Sequence, residues 1–234
     1  IVSDSWDRDV VLRQQVDRCE RLAAEGYHAF KVEPMHSTRE TAVELVRLSR
    51  LALGPDPILA FDVGYGYNEH VTALWVAKRV EEYDVYFFET PFPVDGANAY
   101  SRLSEKTSIP LAMGEHASCR FEFIEMMDHG GVTICQPYTN NCGGLTECKR
   151  IVDEAKTRGA LVIPGNWSTQ VLGMANNHLA AYSPISPYVE YSVAQIYASP
   201  LRAEIQALAT PVVNGRMNLP EAPGIGIELP PDLI

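Results

Sequence analysis

No long apolar run occurs in this sequence of 234 residues. Nothing approaches the roughly 18 consecutive apolar residues of a membrane-spanning helix. A surplus of positive charge is also missing. Lys and Arg number 19 against 30 Asp and Glu, a formal net charge of −11. That argues against nucleic acid and anionic membrane, which both need a basic surface. It leaves room for an anionic small molecule, because a bound cation reverses the local field. The five cysteines, Cys19, Cys119, Cys135, Cys142 and Cys148, are odd in number and contain no Cys-x-x-Cys pair. Reduced thiols in a cytoplasmic protein are the simplest reading. No Gly-x-Gly-x-x-Gly loop follows an apolar run, which disfavours a dinucleotide-binding sheet. No His-x-His is present, which disfavours a metallohydrolase barrel. The start, Ile1-Val2-Ser3-Asp4, has neither the basic nor the apolar segment of a signal peptide. It is not Met, and a helical pattern begins almost at once, so the amino-terminal part of a longer protein is expected to be missing.

What is present is a strict alternation of helical and extended segments. The period of apolar residues predicts helices over 8–24, 38–53, 69–83, 97–106, 121–128, 145–158, 170–182 and 201–208. In the first of these the apolar stripe is Val11, Leu12, Val16, Cys19 and Leu22-Ala23. Ser37 is expected to cap the second, with Glu40 three residues on as a capping box. Between the helices lie strands over 27–33, 57–62, 84–89, 110–115, 131–136, 160–163 and 188–191, with Ile1-Val2 as the end of an eighth. Such alternation indicates a parallel sheet, and eight strands suggest one barrel of residues 1–210, with an open doubly wound sheet as runner-up. The Pro- and Gly-rich residues 211–234 read as an irregular tail packing back on the barrel.

Three acids end three successive apolar strands. Asp62 closes Ile58-Leu59-Ala60-Phe61, Glu89 closes Val85-Tyr86-Phe87-Phe88, and Glu115 follows Leu111-Ala112-Met113-Gly114. One strand, one helix and two loops fill each interval, so the carboxylates would converge at the carboxyl ends of adjacent strands. Three such groups form a hard oxygen site for a divalent cation. Without one they would repel. By strand parity Lys31 and Glu33 share a face that points to the same mouth, and Gln136 and Tyr138 do so from a later strand. Gly165 and Glu190 end the last two strands. In a barrel, polar groups at these positions read as catalytic.

On these residues the sequence resembles the barrel domain of the enolase superfamily, in its mandelate racemase/muconate lactonizing enzyme-like branch. Gly26–Glu33 is similar to the strand that carries Lys-x-Lys. Asp62, Glu89 in Phe88-Glu89-Thr90-Pro91, and Glu115 match three magnesium ligands. Gln136-Pro137, Cys142-Gly143-Gly144-Leu145 and Pro223-Gly224-Ile225-Gly226 resemble further family segments. The resemblance implies a TIM-type, modified (β/α)7β barrel, a Mg²⁺ ion, an amino-terminal α+β capping domain absent from this chain, and commonly an oligomer. The chemistry it implies is removal of the proton next to a carboxylate. Departures are equally definite: Glu33 replaces the second lysine, Tyr138 replaces an Asp, and Gly165 stands where a catalytic His is expected.

The candidate residues follow. Lys31 stabilises the enediolate or acts as base, and Glu33 acts as base or binds a hydroxyl or second cation. His116, next to a metal ligand, serves as acid or substrate contact. Tyr138 gives a proton or hydrogen bond to a leaving hydroxyl, or forms a pocket wall. His36, Gln136, Asn166, Trp167 and Glu190 are expected to contact substrate. The leading expectation is a Mg²⁺-dependent hydro-lyase converting an acid sugar to a 2-keto-3-deoxy acid. Racemisation or epimerisation by the same site, or a metal-binding barrel without catalysis, are the alternatives.

Overall fold

A computed structural model of the chain describes residues 5–34, 38–193 and 199–231. Six strands are hydrogen-bonded in chain order, β1 (Ala29–Val32), β2 (Ile58–Asp62), β3 (Val85–Glu89), β4 (Leu111–Met113), β5 (Ile134–Cys135) and β6 (Leu161–Val162). A doubly wound sheet reverses its strand order at a switch point. The sequential order found here is a barrel's order and excludes that runner-up. The chain divides into two compact units, residues 1–113 with 125–134, and residues 114–124 with 135–234.

In the first unit β1 to β4 are parallel. In β2 to β4 nearly all side chains are buried on both faces, as in strands covered by helices. The register sets Lys31 beside Ala60 and Asp62 beside Glu89, after a shift in the β2–β3 pairing between Leu59 and Phe61. Phe61 and Phe88, each the residue before one of the two acids, stack at 4.3 Å. Helix α1 (Arg8–Ala24) starts where Asp7 accepts the N–H groups of Asp9 and Val10. Its buried stripe is Val11, Leu12, Gln15, Cys19 and Leu22, so an amide sits where the apolar pattern suggested Val16. Helix α2 (Arg39–Leu53) is capped by Thr38, whose Oγ1 accepts the N–H of Thr41. The expected cap, Ser37, lies outside the described residues, and the cap falls one position later because Thr38 reaches an N–H three residues on. Glu40 instead pairs with Arg39 at 2.9 Å. Arg50 fastens the end of α2 to the starts of two strands. It donates to the carbonyls of Gly54, Pro57, Tyr83 and Asp84 at 2.7–3.1 Å. Helix α3 (His70–Val80) tightens into a 3-10 turn over Glu81–Tyr83, and α4 (Ala97–Ser104) precedes β4.

α5 (Arg120–Asp128) precedes β5. In the second unit α6 (Gly144–Thr157), α7 (Gln170–Tyr182) and α8 (Pro200–Leu208) follow. Ile163 donates to the Cys135 carbonyl and Gly165 to that of Pro137. The strand expected over 188–191 is absent. Glu190 N–H donates to the Pro164 carbonyl at 3.0 Å, and Pro184 and Pro187 upstream lack donors for a longer ladder. Ile1-Val2 lies outside the described residues. Within 211–231 a short antiparallel pair forms, β7 (Val212–Val213) with β8 (Arg216–Met217), and Asn177 Nδ2 lies 2.6 Å from Met217 Sδ.

All five cysteines are free, four of them buried. Burial pushes the Cys19 thiol up to about 11 and that of Cys135 up to about 12. At pH 8 neither holds an appreciable thiolate. Iodoacetamide on the native protein is therefore expected to label only Cys119, the half-exposed one, with the other four reacting in denaturant. Mass-spectrometric site counting checks this, and native labelling of Cys135 would contradict the packing.

Candidate active site

The first unit brings Lys31, Asp62 and Glu89 together. Lys31 Nζ lies 2.8 and 2.7 Å from the two Glu89 oxygens and 3.5 Å from Asp62 Oδ2. Asp62 and Glu89 are 6% and 2% exposed. One ammonium thus faces two buried carboxylates. Asp62 Oδ1 also accepts Gly64 N–H at 2.8 Å and Thr90 Oγ1–H at 2.5 Å. Thr90 holds φ at +44° and Tyr65 holds φ at +61°. Left-handed backbone is unusual for any residue with a side chain and more so for a β-branched one. Strain of this kind survives where the surroundings enforce it, often beside functional groups. The end of β1 is held by Gln15, wholly buried, whose Oε1 accepts Glu33 N–H at 3.0 Å and whose Nε2 donates to the Glu33 carbonyl. Glu33 Oε1 lies 3.3 Å from where a Cβ on Gly64 would stand, which sets the Glu33 carboxylate against the turn after β2.

In the second unit, Tyr138 Oη–H points to Glu115 Oε2 at 3.4 Å, and His116 Nε2 stands 3.8 Å from Glu115 Oε1. Asn141 Nδ2 donates to the Glu115 carbonyl at 2.8 Å. Glu190 joins two neighbours: Oε1 accepts Gln136 Nε2 at 3.2 Å and Oε2 accepts Asn166 N–H at 3.1 Å. Asn176, wholly buried, donates to the Gly165 carbonyl. Trp167 is 42% exposed, with the Arg202 guanidinium 5.7 Å from its ring centre.

Gly165 has a packing reason. A Cβ there would run into Cε1 of Tyr138 and lie 2.8 Å from Cδ1. The phenol ring fills the volume a side chain at 165 would take. Gly165→Ala is expected to cost about 1–3 kcal/mol through overpacking. Urea unfolding measures it, and Gly165→Ala combined with Tyr138→Ala should regain part of the loss.

The expected residues are therefore placed in groups. Lys31, Asp62 and Glu89 converge in one unit. Glu115, His116 and Tyr138 form one cluster in the other, and Gln136, Asn166 and Glu190 a second. His36 lies outside the described residues. Gln15 was not foreseen, although its spacing of four from both Val11 and Cys19 marks it as part of the buried stripe. The oxygen donors of Asp62 and Glu89 suit a hard divalent cation, and the ammonium between them is a stand-in showing that the gap takes positive charge. Among the described residues no group of three or more His, Cys, Asp or Glu side chains is gathered closely enough to hold an ion.

Residues 14–233 match the family described as "Enolase C-terminal domain-like". The chain is 30% identical over 241 residues to a D-galactarolactone cycloisomerase of Agrobacterium fabrum, covering 98% of this chain and 62% of the relative. It is 30% identical over 203 residues to an arabinonate dehydratase of Saccharolobus solfataricus, covering 86% and 52%. The crystal structure of the 3,6-anhydro-D-galactonate cycloisomerase from Zobellia galactanivorans superposes with a TM-score of 0.85 at 27% identity, covering 94% of this chain and 61% of that one. The chain thus spans between half and two thirds of the length of these relatives.

Proposed function

The chain belongs to the enolase C-terminal domain-like family, and on that premise we propose that it removes the proton α to the carboxylate of an acid sugar and expels the β-hydroxyl, giving a 2-keto-3-deoxy acid. The observation that carries the reading is the Lys31 ammonium held between the buried carboxylates of Asp62 and Glu89. In that pairing Lys31 is a fixed cation, suited to stabilising negative charge as it develops on the substrate carboxylate. Glu33, its backbone held by Gln15, is then the candidate base. His116 and Tyr138 flank Glu115 and are the candidate donors to the departing hydroxyl. Gln136, Asn166, Trp167 and Glu190 orient the substrate.

Asp62, Glu89 and Glu115 are the residues that would hold Mg²⁺, which when bound supplies Lewis-acid polarisation of the substrate carboxylate. The two unit-one donors have the right chemistry for it, and Lys31 has to share them. A homo-oligomeric, cytoplasmic enzyme completes the proposal. The five free thiols are in keeping with a cytoplasmic setting.

Two of the relatives are named cycloisomerases, which favours a second reading: the same proton abstraction followed by ring opening or closure. Proton NMR separates the readings. The full-length protein is incubated with Mg²⁺ in D₂O with mono- and diacid sugars and their lactones. Exchange at the α carbon, absent in Glu115→Ala, is the expected result, and the product then tells dehydration from cycloisomerisation or epimerisation. Silence across the panel with Mg²⁺ still bound would overturn both and leave a barrel that binds without turnover.

A further inference from the structure

Two amide side chains at the start of α7 are buried without partners. Asn166 and Gln170 are 2% and 1% exposed, and none of their side-chain nitrogens or oxygens makes a hydrogen bond. Buried amides are almost always paired, so an unsatisfied pair marks a place where something binds. Both converge on Gly173. A Cβ there would run into Gln170 Oε1 and lie 2.9 Å from Asn166 Nδ2. Glycine in a helix interior costs stability, and here it leaves room for the two amides. Thr169, which precedes α7, makes no side-chain bond to the helix, so the first N–H groups of α7 lack a side-chain cap at the same place. Alongside, the Glu190 carboxylate accepts Asn166 N–H.

We propose that Asn166 and Gln170 form a subsite for the distal hydroxyl groups of the substrate, an inference that rests on the acid-sugar reading. Each amide presents an NH₂ donor and a carbonyl acceptor. A hydroxyl is both donor and acceptor and satisfies either end. An anion would satisfy only the donors and leave two carbonyls buried and unpaired. Water has the same chemistry as a hydroxyl and is the competing occupant. A hydroxylated carbon chain that displaces it keeps the hydrogen bonds and adds selectivity for substrates with hydroxyls beyond the α carbon.

The test is binding, followed by tryptophan fluorescence on the full-length protein with Mg²⁺. The probes are the pentonates of the four aldopentoses, and 2-hydroxypentanoate, which keeps the carboxylate and the α-hydroxyl but lacks the distal ones. The wild type is expected to bind at least one pentonate about tenfold or more tightly over 2-hydroxypentanoate. Gln170→Met keeps the length of the side chain and removes both polar atoms. It should bring that ratio toward one and leave affinity for 2-hydroxypentanoate unchanged. Gly173→Ala, which displaces the amides without deleting them, should do the same, so the result does not hang on one variant folding. No preference in the wild type, or an unchanged ratio in the folded variants with only stability altered, would mean that the amides hold water alone and would overturn the proposal. The α-proton exchange experiment stands apart. Binding preference without exchange would sink the chemistry and keep the subsite, and exchange without preference would do the reverse.

Discussion

Lys31→Met is expected to destabilise the chain by about 3 kcal/mol, the low end of the cost of stripping one partner from a buried ion pair. The low end applies because the Lys31 side chain keeps 24% of its surface in water. Methionine preserves the length and packing of the stem, so the loss isolates the charge. Without the ammonium, Asp62 and Glu89, side by side in the β2–β3 register and 6% and 2% exposed, lose the cation that both contact. Asp62 keeps Gly64 N–H and Thr90 Oγ1–H, which limits the damage on that side. The same variant should gain more stability from Mg²⁺ than the wild type does. The cation would then have the two carboxylates to itself instead of sharing them with Lys31. Binding at a hundredfold excess over Kd returns about 2.7 kcal/mol. Urea unfolding of both proteins, with Mg²⁺ and with EDTA, measures the pair of effects. Unchanged stability in EDTA would mean that solvent already neutralises the acids. An equal Mg²⁺ response in both proteins would mean that ammonium and metal do not share them.

Much of the architecture was legible before any coordinates. Helices α1 and α7 begin and end where periodicity puts them, Arg8–Ala24 and Gln170–Tyr182, because each is bounded by a residue that cannot continue the apolar stripe. The convergence of Asp62 and Glu89 was legible for a simple reason: strand length and helix length together set the spacing of strand ends. What escaped was decided by partners far along the chain. Gln15 sits at stripe spacing, but it is buried as an amide because it closes two hydrogen bonds on Glu33, eighteen residues away. Arg50 reads as a surface helix residue until its five carbonyl partners are seen. The extended run at 188–191 has β-branched and aromatic residues enough to suggest a strand, yet it forms none, although Glu190 N–H donates to the Pro164 carbonyl. Propensity there is outweighed by the donors missing upstream at Pro184 and Pro187. Asn166 was singled out from its place in a loop, whereas Gln170 was missed, since a glutamine at a helix start is ordinarily solvated.

Glu89→Gln is expected to remove at least a thousandfold of α-proton exchange, about 4 kcal/mol of transition-state stabilisation, while leaving stability within about 1 kcal/mol of the wild type. The two parts of this prediction have different causes. Activity is lost because Glu89 is the nearer anchor of Lys31, at 2.7 and 2.8 Å, and one of the carboxylates proposed to hold the cation. Glutamine keeps the shape and one acceptor but gives up the charge on which both roles depend. Stability is kept because the wild-type cluster carries two carboxylates against one ammonium. Deleting one charge leaves Lys31 still facing Asp62, so the lost charge-assisted bond is offset by removing one of two adjacent buried anions. A residue kept for the fold would show the opposite pattern, with stability and activity falling together. Exchange rates in D₂O and urea midpoints on one protein preparation decide the matter. Full activity in Glu89→Gln would remove Glu89 from the chemistry. A collapse of stability would show that its carboxylate is needed for the fold.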